Sequence, residues 1–109
     1  MTLQFSKAEL KTFLLIYAAN ADYEFNEREI KFIKERTSLE TFKKMFDLFQ
    51  KSSEYQALKV IISHKEAYFK NDEQKKEMYD ELTDLFKIDG EYSRGEKVFL
   101  NFLDKMMSS

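Results

Sequence analysis

The chain has 109 residues, of which 43% are hydrophobic, and its eighteen basic and twenty acidic side chains leave a formal net charge of −2. This length suits one domain, and the nearly balanced charge gives no long-range attraction to nucleic acid or to an anionic membrane. The absence of cysteine excludes disulfides, thiolate metal sites and cysteine nucleophiles. With no proline and two glycines, the composition favours a single all-α domain over residues 1–109.

The N-terminus gives no targeting signal. It lacks a basic region followed by an apolar one, and no stretch of the sequence approaches about eighteen apolar residues. We therefore expect a cytoplasmic protein without direct membrane insertion.

Apolar residues recur at helical spacing in six segments, most of which begin at a side chain that can cap a helix. Ser6 with Glu9 and Ser53 with Gln56 match the capping box, in which two side chains bond each other's backbone amides. The predicted helices cover about residues 7–21, 27–36, 39–51, 54–69, 72–86 and 94–107. We expect a compact bundle of six or seven helices.

Two of these helices have patterns that define their buried faces. The first is predicted to bury one stripe and to turn Lys11 and Thr12 outward. The third has the most regular pattern, and its core stripe is Phe42, Met45, Phe46 and Phe49. Any exposed part of that stripe would instead form a groove for a partner helix.

No segment predicts catalysis. The only histidine, His64, has no nucleophile motif beside it, and we expect it to be solvated or partly packed. The sequence has neither G-x-S-x-G nor a glycine-rich phosphate loop. We therefore expect a protein that is not an enzyme.

One acidic segment occurs twice. Residues 22–29 read DYEFNERE and residues 89–96 read DGEYSRGE, so both follow D-x-E-[F/Y]-[N/S]-x-x-E. Each copy lies between two predicted helices. This indicates an internal pseudo-repeat of two helix–acidic loop–helix hairpins, with halves at about 7–36 and 72–107 and central helices at about 39–69.

The acidic side chains of each copy suit a hard divalent cation. Like-charged carboxylates repel by about 3 kcal/mol per pair at roughly 5 Å and an effective dielectric of about 20. A cation bound by oxygen ligands offsets that repulsion, and Ca²⁺ or Mg²⁺ fits such ligands better than zinc does. The candidate metal ligands are Asp22, Glu24 and Glu29 in the first copy and Asp89, Glu91 and Glu96 in the second.

The same residues also have an interpretation without a metal. Each copy supplies an N-cap, a capping-box partner and a turn residue, namely Asn26, Glu29 and Asp22 or Ser93, Glu96 and Asp89. Glu24 and Glu91 have no such structural role. The calcium-binding EF-hand pattern does not match, because its twelfth position is Ile33 or Leu100 instead of glutamate.

The strings AANADYEFNEREIKFI and LFKIDGEYSRGEKVFL resemble the two halves of a TerB-like domain. This small all-helical family is named for tellurite resistance, and each half carries an A-D-G-x-[φ]-[ST]-x-x-E motif. The resemblance covers nearly the whole chain. Gly90 keeps the glycine of the motif, whereas Tyr23 replaces it in the first copy.

The resemblance implies a non-enzymatic domain that binds divalent cations at both acidic sites. It also implies a role in bacterial responses to tellurite and other chemical stress, with a protein partner or a membrane-associated complex. The alternative is a helical adaptor for protein–protein interaction, whose acidic loops only cap helices.

Overall fold

The described part of the chain is built from α-helices. The computed structural model describes residues 5–20, 27–89, 101 and 105, with the backbone alone at 65, 66 and 89. The helices are α1 (Lys7–Ala19), α2 (Glu27–Glu35), α3 (Leu39–Lys51), α4 (Glu54–Ser63), α5 (Lys65–Tyr68) and α6 (Asp72–Phe86), and a 3-10 turn follows at Lys87–Asp89. These ranges contain no β-strand, which confirms the all-α prediction.

The predicted number of six or seven helices is wrong for the described residues, which contain five helices of nine residues or more. The predicted fourth helix, about 54–69, is interrupted at His64, and only the single turn of α5 continues it. The side chains of Ser63 and His64 both bond the Val60 carbonyl, at 2.7 and 2.8 Å. They compete for the oxygen that the His64 amide would use in a continuous helix, and that amide bonds Ile61 instead.

The capping side chains begin the helices where the sequence predicts them. Ser6 with Glu9 and Ser53 with Gln56 form complete capping boxes. Asn71 caps α6 by accepting a hydrogen bond from the Gln74 amide at 2.8 Å. At α3 the cap is Ser38, which accepts from the Thr41 amide at 3.1 Å. Each of these helix starts is therefore defined by side chains that act over three residues.

Helix α1 is the central element of the bundle and contacts α2, α3, α4 and α6. Its sequence is apolar almost all round, as expected of a helix covered on every side. Thr12 is only 3% exposed, so its predicted outward position is wrong. The buried residues of α1 are Leu10, Thr12, Phe13, Leu14, Leu15, Ile16, Ala18 and Ala19.

Aromatic side chains of α3 cover one side of α1. Phe49 packs edge-on against Phe13 and Tyr17, with ring centroids 5.9 and 6.1 Å apart. Phe42 and Met45 are buried, while Phe46 and Phe49 are partly buried against the core. The core prediction for this stripe is confirmed.

The radius of gyration is 13.0 Å, close to the value of about 13 Å expected for a compact chain of this length. Asn101 and Lys105, in the segment of the predicted final helix, are helical and exposed. Of the helices in the described ranges, none combines the length and apolar character needed to cross a membrane.

Candidate functional site

The first acidic segment follows α1 and leads into α2. Helix α1 ends at Asn20, whose side-chain amide donates to the Ile16 carbonyl at 2.8 Å. Helix α2 begins at Glu27. Asp22 and Glu24 fall between these ends and lie outside the described residues. The flanking helices are in place, and cation binding by Asp22 and Glu24 stays a prediction.

Glu29, the third candidate ligand of this copy, lies in the first turn of α2 and is buried, with 7% of its surface exposed. The corresponding residues of the two complete capping boxes are more open. The Glu9 side chain is 20% exposed, and Gln56 lies at an exposed position. Burying a carboxylate is costly unless it is paired or hydrogen-bonded, and Glu29 is not without an interaction partner.

The second acidic segment starts where α6 ends. Helix α6 stops at Phe86, and the 3-10 turn Lys87–Asp89 continues the chain to the first acidic position. The Asp89 backbone belongs to this turn. The Asp89 side chain, together with Glu91 and Glu96, lies outside the described residues. The pseudo-repeat between the two copies therefore also stays a prediction.

Among the side chains that the structure describes, no three histidine, cysteine, aspartate or glutamate residues converge as a metal site requires. Of the six candidate ligands, only Glu29 has a described side chain. The absence of such a cluster therefore applies to the described side chains and leaves the two acidic segments open.

A cleft of mixed charge lies beside α1. The Lys11 ammonium pairs with Glu81 of α6, and Lys7 lies 3.7 Å from Glu77. The cleft has a volume of about 370 Å³ and extends to Arg36 at the end of α2. Burial lowers the pKa of Lys11. Glu77 and Glu81 neutralise the charges of the two lysines. The cleft therefore has ion pairs between helices instead of a strong electrostatic potential of a single sign.

The sequence interpretation, which expected His64 to be solvated or partly packed, missed how deeply this residue is packed: 6% of its surface is exposed. Its Nε2 atom accepts a hydrogen bond from the Phe5 amide at 2.9 Å. A signal was present, because Ala57, Ile61 and His64 follow the i, i+4, i+7 spacing of one buried helix face. The missing partner was the N-terminal segment, which no local pattern relates to position 64.

Helix α4 also exposes apolar side chains. Tyr55 is 66% exposed and Ile62 is 43% exposed. Their seven-residue spacing puts them on one face of the helix, with the partly buried Leu58 between them. Lys59 lies over the Tyr55 ring, 5.0 Å from its centre. This face is the largest described group of exposed apolar residues on one helix.

The chain was compared with models of known protein families, with curated proteins and with solved structures. No family model, no curated protein and no solved structure matches it.

Proposed function

We propose that this chain is a non-enzymatic, TerB-like helical domain that binds Ca²⁺ or Mg²⁺ at its two acidic loops. The ligands are Asp22, Glu24 and Glu29 in the first loop and Asp89, Glu91 and Glu96 in the second. In this proposal the domain acts in the cytoplasm, in a bacterial response to tellurite or other chemical stress. The role in stress rests on the resemblance of the two loop motifs to the TerB-like family.

The observation that carries the proposal is the acidic pattern D-x-E-[F/Y]-[N/S]-x-x-E, which occurs at residues 22–29 and again at residues 89–96. The first copy follows α1 and runs into α2, and the second begins in the turn after α6. A divalent cation bound by oxygen ligands would offset the repulsion among the acidic side chains of each copy.

Metal titration tests this proposal. A cation present at about 100 times its dissociation constant raises the free energy of unfolding by about 2.7 kcal/mol. We expect calorimetry with Ca²⁺ or Mg²⁺ to detect two sites. We expect one site after Asp22→Asn with Glu24→Gln, and likewise one after Asp89→Asn with Glu91→Gln.

The matched control removes the same charges elsewhere. Asp72 and Glu73 are exposed in the first turn of α6, so Asp72→Asn with Glu73→Gln should leave both sites intact. Stability that does not change up to millimolar Ca²⁺ or Mg²⁺, in the parent protein and in both loop variants, would reject the cation proposal.

A second candidate function is that of a helical adaptor for protein–protein interaction, and the exposed face of α4 favours it. A stripe of Tyr55, Leu58 and Ile62 can dock against the apolar face of a partner helix. Capture of a partner should be lost with Tyr55→Ser plus Ile62→Ser. The control is Leu39→Ser, because Leu39 is also exposed, at 54%, but lies on α3. Equal capture by both variants would exclude this face.

A further inference from the structure

The backbone of Phe5 is held by two side chains from the distant end of α4 and from α5. The Phe5 amide donates to Nε2 of His64 at 2.9 Å. The Tyr68 hydroxyl donates to the Phe5 carbonyl at 2.7 Å. Both hydrogen-bonding groups of one backbone residue are therefore satisfied by side chains about sixty positions away, as a neighbouring β-strand would satisfy them.

The rings of these residues form a stack. His64 lies between Phe5 and Tyr68, at centroid distances of 5.1 and 6.0 Å and interplanar angles of 17° and 8°. On its other side Phe5 contacts Phe13 of α1, 5.7 Å away. Phe5 is 7% exposed, so its side chain is packed into the core through this stack.

The hydrogen bonds define the protonation state of the imidazole. Because Nε2 accepts the Phe5 amide proton, it carries no proton of its own. Nδ1 lies 2.8 Å from the Val60 carbonyl, which can only accept, so Nδ1 carries the proton and donates it. His64 is therefore neutral, in the Nδ1–H tautomer.

Protonation of Nε2 would place its N–H against the Phe5 amide N–H, so two donors would face each other where the Phe5 amide now donates to Nε2. Histidine is the side chain whose charge ordinarily changes in the mildly acidic range. The ion pairs between described side chains do not include His64, so none of them supplies a carboxylate to stabilise the imidazolium. The side chains of the neighbouring Lys65 and Glu66 lie outside the description.

Other titratable side chains lie near the stack and have partners. Tyr68 of α5 lines one cavity with Lys7 and Lys11 of α1 and with Glu77 and Glu81 of α6. Lys11 pairs with Glu81, and Lys7 lies 3.7 Å from Glu77. Glu9 of α1, whose carboxylate accepts from the Ser6 amide, pairs with Lys44. These ion pairs do not include His64.

We propose that His64 is an acid-sensitive latch that holds Phe5, just before α1, on the bundle when neutral and releases it when protonated. On protonation the hydrogen bond between the Phe5 amide and Nε2 breaks, and helices α1 to α6 stay folded. It does not depend on cation binding, because its residues are separate from both acidic segments.

Amide hydrogen exchange of Phe5, followed by NMR and expressed as a protection factor, tests the latch. As the pH falls from about 8 to about 5, protection should decrease by up to about tenfold per pH unit, because release is linked to one proton. Imidazole nitrogen shifts at the higher pH should identify an unprotonated Nε2 and a protonated Nδ1. Core amides, such as that of Phe13, should keep their protection throughout.

Two variants separate titration from packing. Tyr68→Phe removes the second hydrogen bond to Phe5, so it should lower protection at every pH but preserve the pH dependence. His64→Gln retains a carbonyl acceptor that does not titrate, so its Phe5 protection should not vary with pH. An Nε2–H tautomer at high pH, or a Phe5 protection factor independent of pH in the parent protein and in Tyr68→Phe, would overturn the proposal even if His64→Gln did not fold.

Discussion

The Oε2 atom of Glu9 lies 2.7 Å from the Nζ atom of Lys44, so an ion pair joins the first turn of α1 to α3. The same carboxylate accepts the Ser6 amide through Oε1 at 2.9 Å. These two contacts, the Lys44 hydrogen bond foremost, hold the pKa of Glu9 below its ordinary value. One side chain therefore both caps α1 and links it to the neighbouring helix.

Replacing Glu9 by glutamine separates these two roles. The side-chain carbonyl of the glutamine can still accept the Ser6 amide, whereas the ion pair with Lys44 is lost. Lys44 is 66% exposed, so we expect a loss of about 0.2–1 kcal/mol in the free energy of unfolding, measured with urea at neutral pH. Lys44→Gln should cost a similar amount, and the double variant should cost no more than either one. Additive losses would contradict the pair.

The pH dependence of this contribution follows from the direction of the pKa shift. Because the pKa of Glu9 is lower in the folded protein than in the unfolded chain, the stabilisation is complete above the ordinary glutamate range. It is lost as the pH falls through the lowered pKa. The stability difference between the parent protein and Glu9→Gln should therefore disappear in acid, and a constant difference would contradict the shift.

Thr12 tests whether α1 is covered on all sides. Its hydroxyl donates to the Ala8 carbonyl at 2.8 Å, and the residue is 3% exposed. Thr12→Asp would bury a carboxylate and remove the hydrogen bond to Ala8, which should cost about 3 kcal/mol or more in urea denaturation. Lys43→Asp at an exposed position of α3 is the control, with an expected cost below about 1 kcal/mol. Equal costs would indicate an open face on α1.

The ion pair between Lys11 and Glu81 tests whether partly buried charges stabilise the contact between α1 and α6. Among the described groups, the Oε2 atom of Glu81 is buried without a hydrogen-bond partner, while Oε1 pairs with Lys11. Lys11→Met would leave the carboxylate unpaired and should cost about 1–3 kcal/mol in thermal or urea denaturation.

The double variant gives the opposite expectation. Lys11→Met with Glu81→Leu removes both charges and should be neutral or stabilising, because well-packed apolar residues often replace such pairs without loss. A double variant less stable than the parent protein would mean that the ion pair itself contributes net stability.

The capping box of α4 gives a further prediction. Ser53 accepts the Gln56 amide at 3.1 Å, and Gln56 accepts the Ser53 amide at 2.8 Å. Ser53→Ala should lower the thermal stability by about 1 kcal/mol, whereas Ser53→Gly should cost only a few tenths. The same loss for both variants would indicate that the cap is not the source of the stability.

The sequence predicted the helices wherever local interactions determine them. The Ser6 and Ser53 caps act over three residues, and the aromatic stripe of α3 repeats at the helical period, so a short window contains each signal. The burial of Thr12 could not be predicted in this way, because it depends on which helices surround α1. The break at His64 depends on side chains that take over the Val60 carbonyl.

The candidate site was predictable only in part. The acidic segments were recognised from their repeated letters; α1 and α6 end shortly before them, and α2 begins within the first. The burial of Glu29 was not predicted, since the capping pattern is the same for an exposed and a buried glutamate. His64 was missed for a similar reason, because its partner Phe5 is 59 positions away in the sequence.

The position of α1 at the centre of the bundle has a consequence for dividing the chain. The two sequence halves resemble each other as separable hairpins, yet α1 packs against α6 as well as α2 and α3. A fragment that begins after residue 20 would lack α1, the helix against which α2, α3 and α6 pack. A fragment of α1 and α2 alone would expose most of its apolar residues. We therefore expect the described helices to unfold as one cooperative unit.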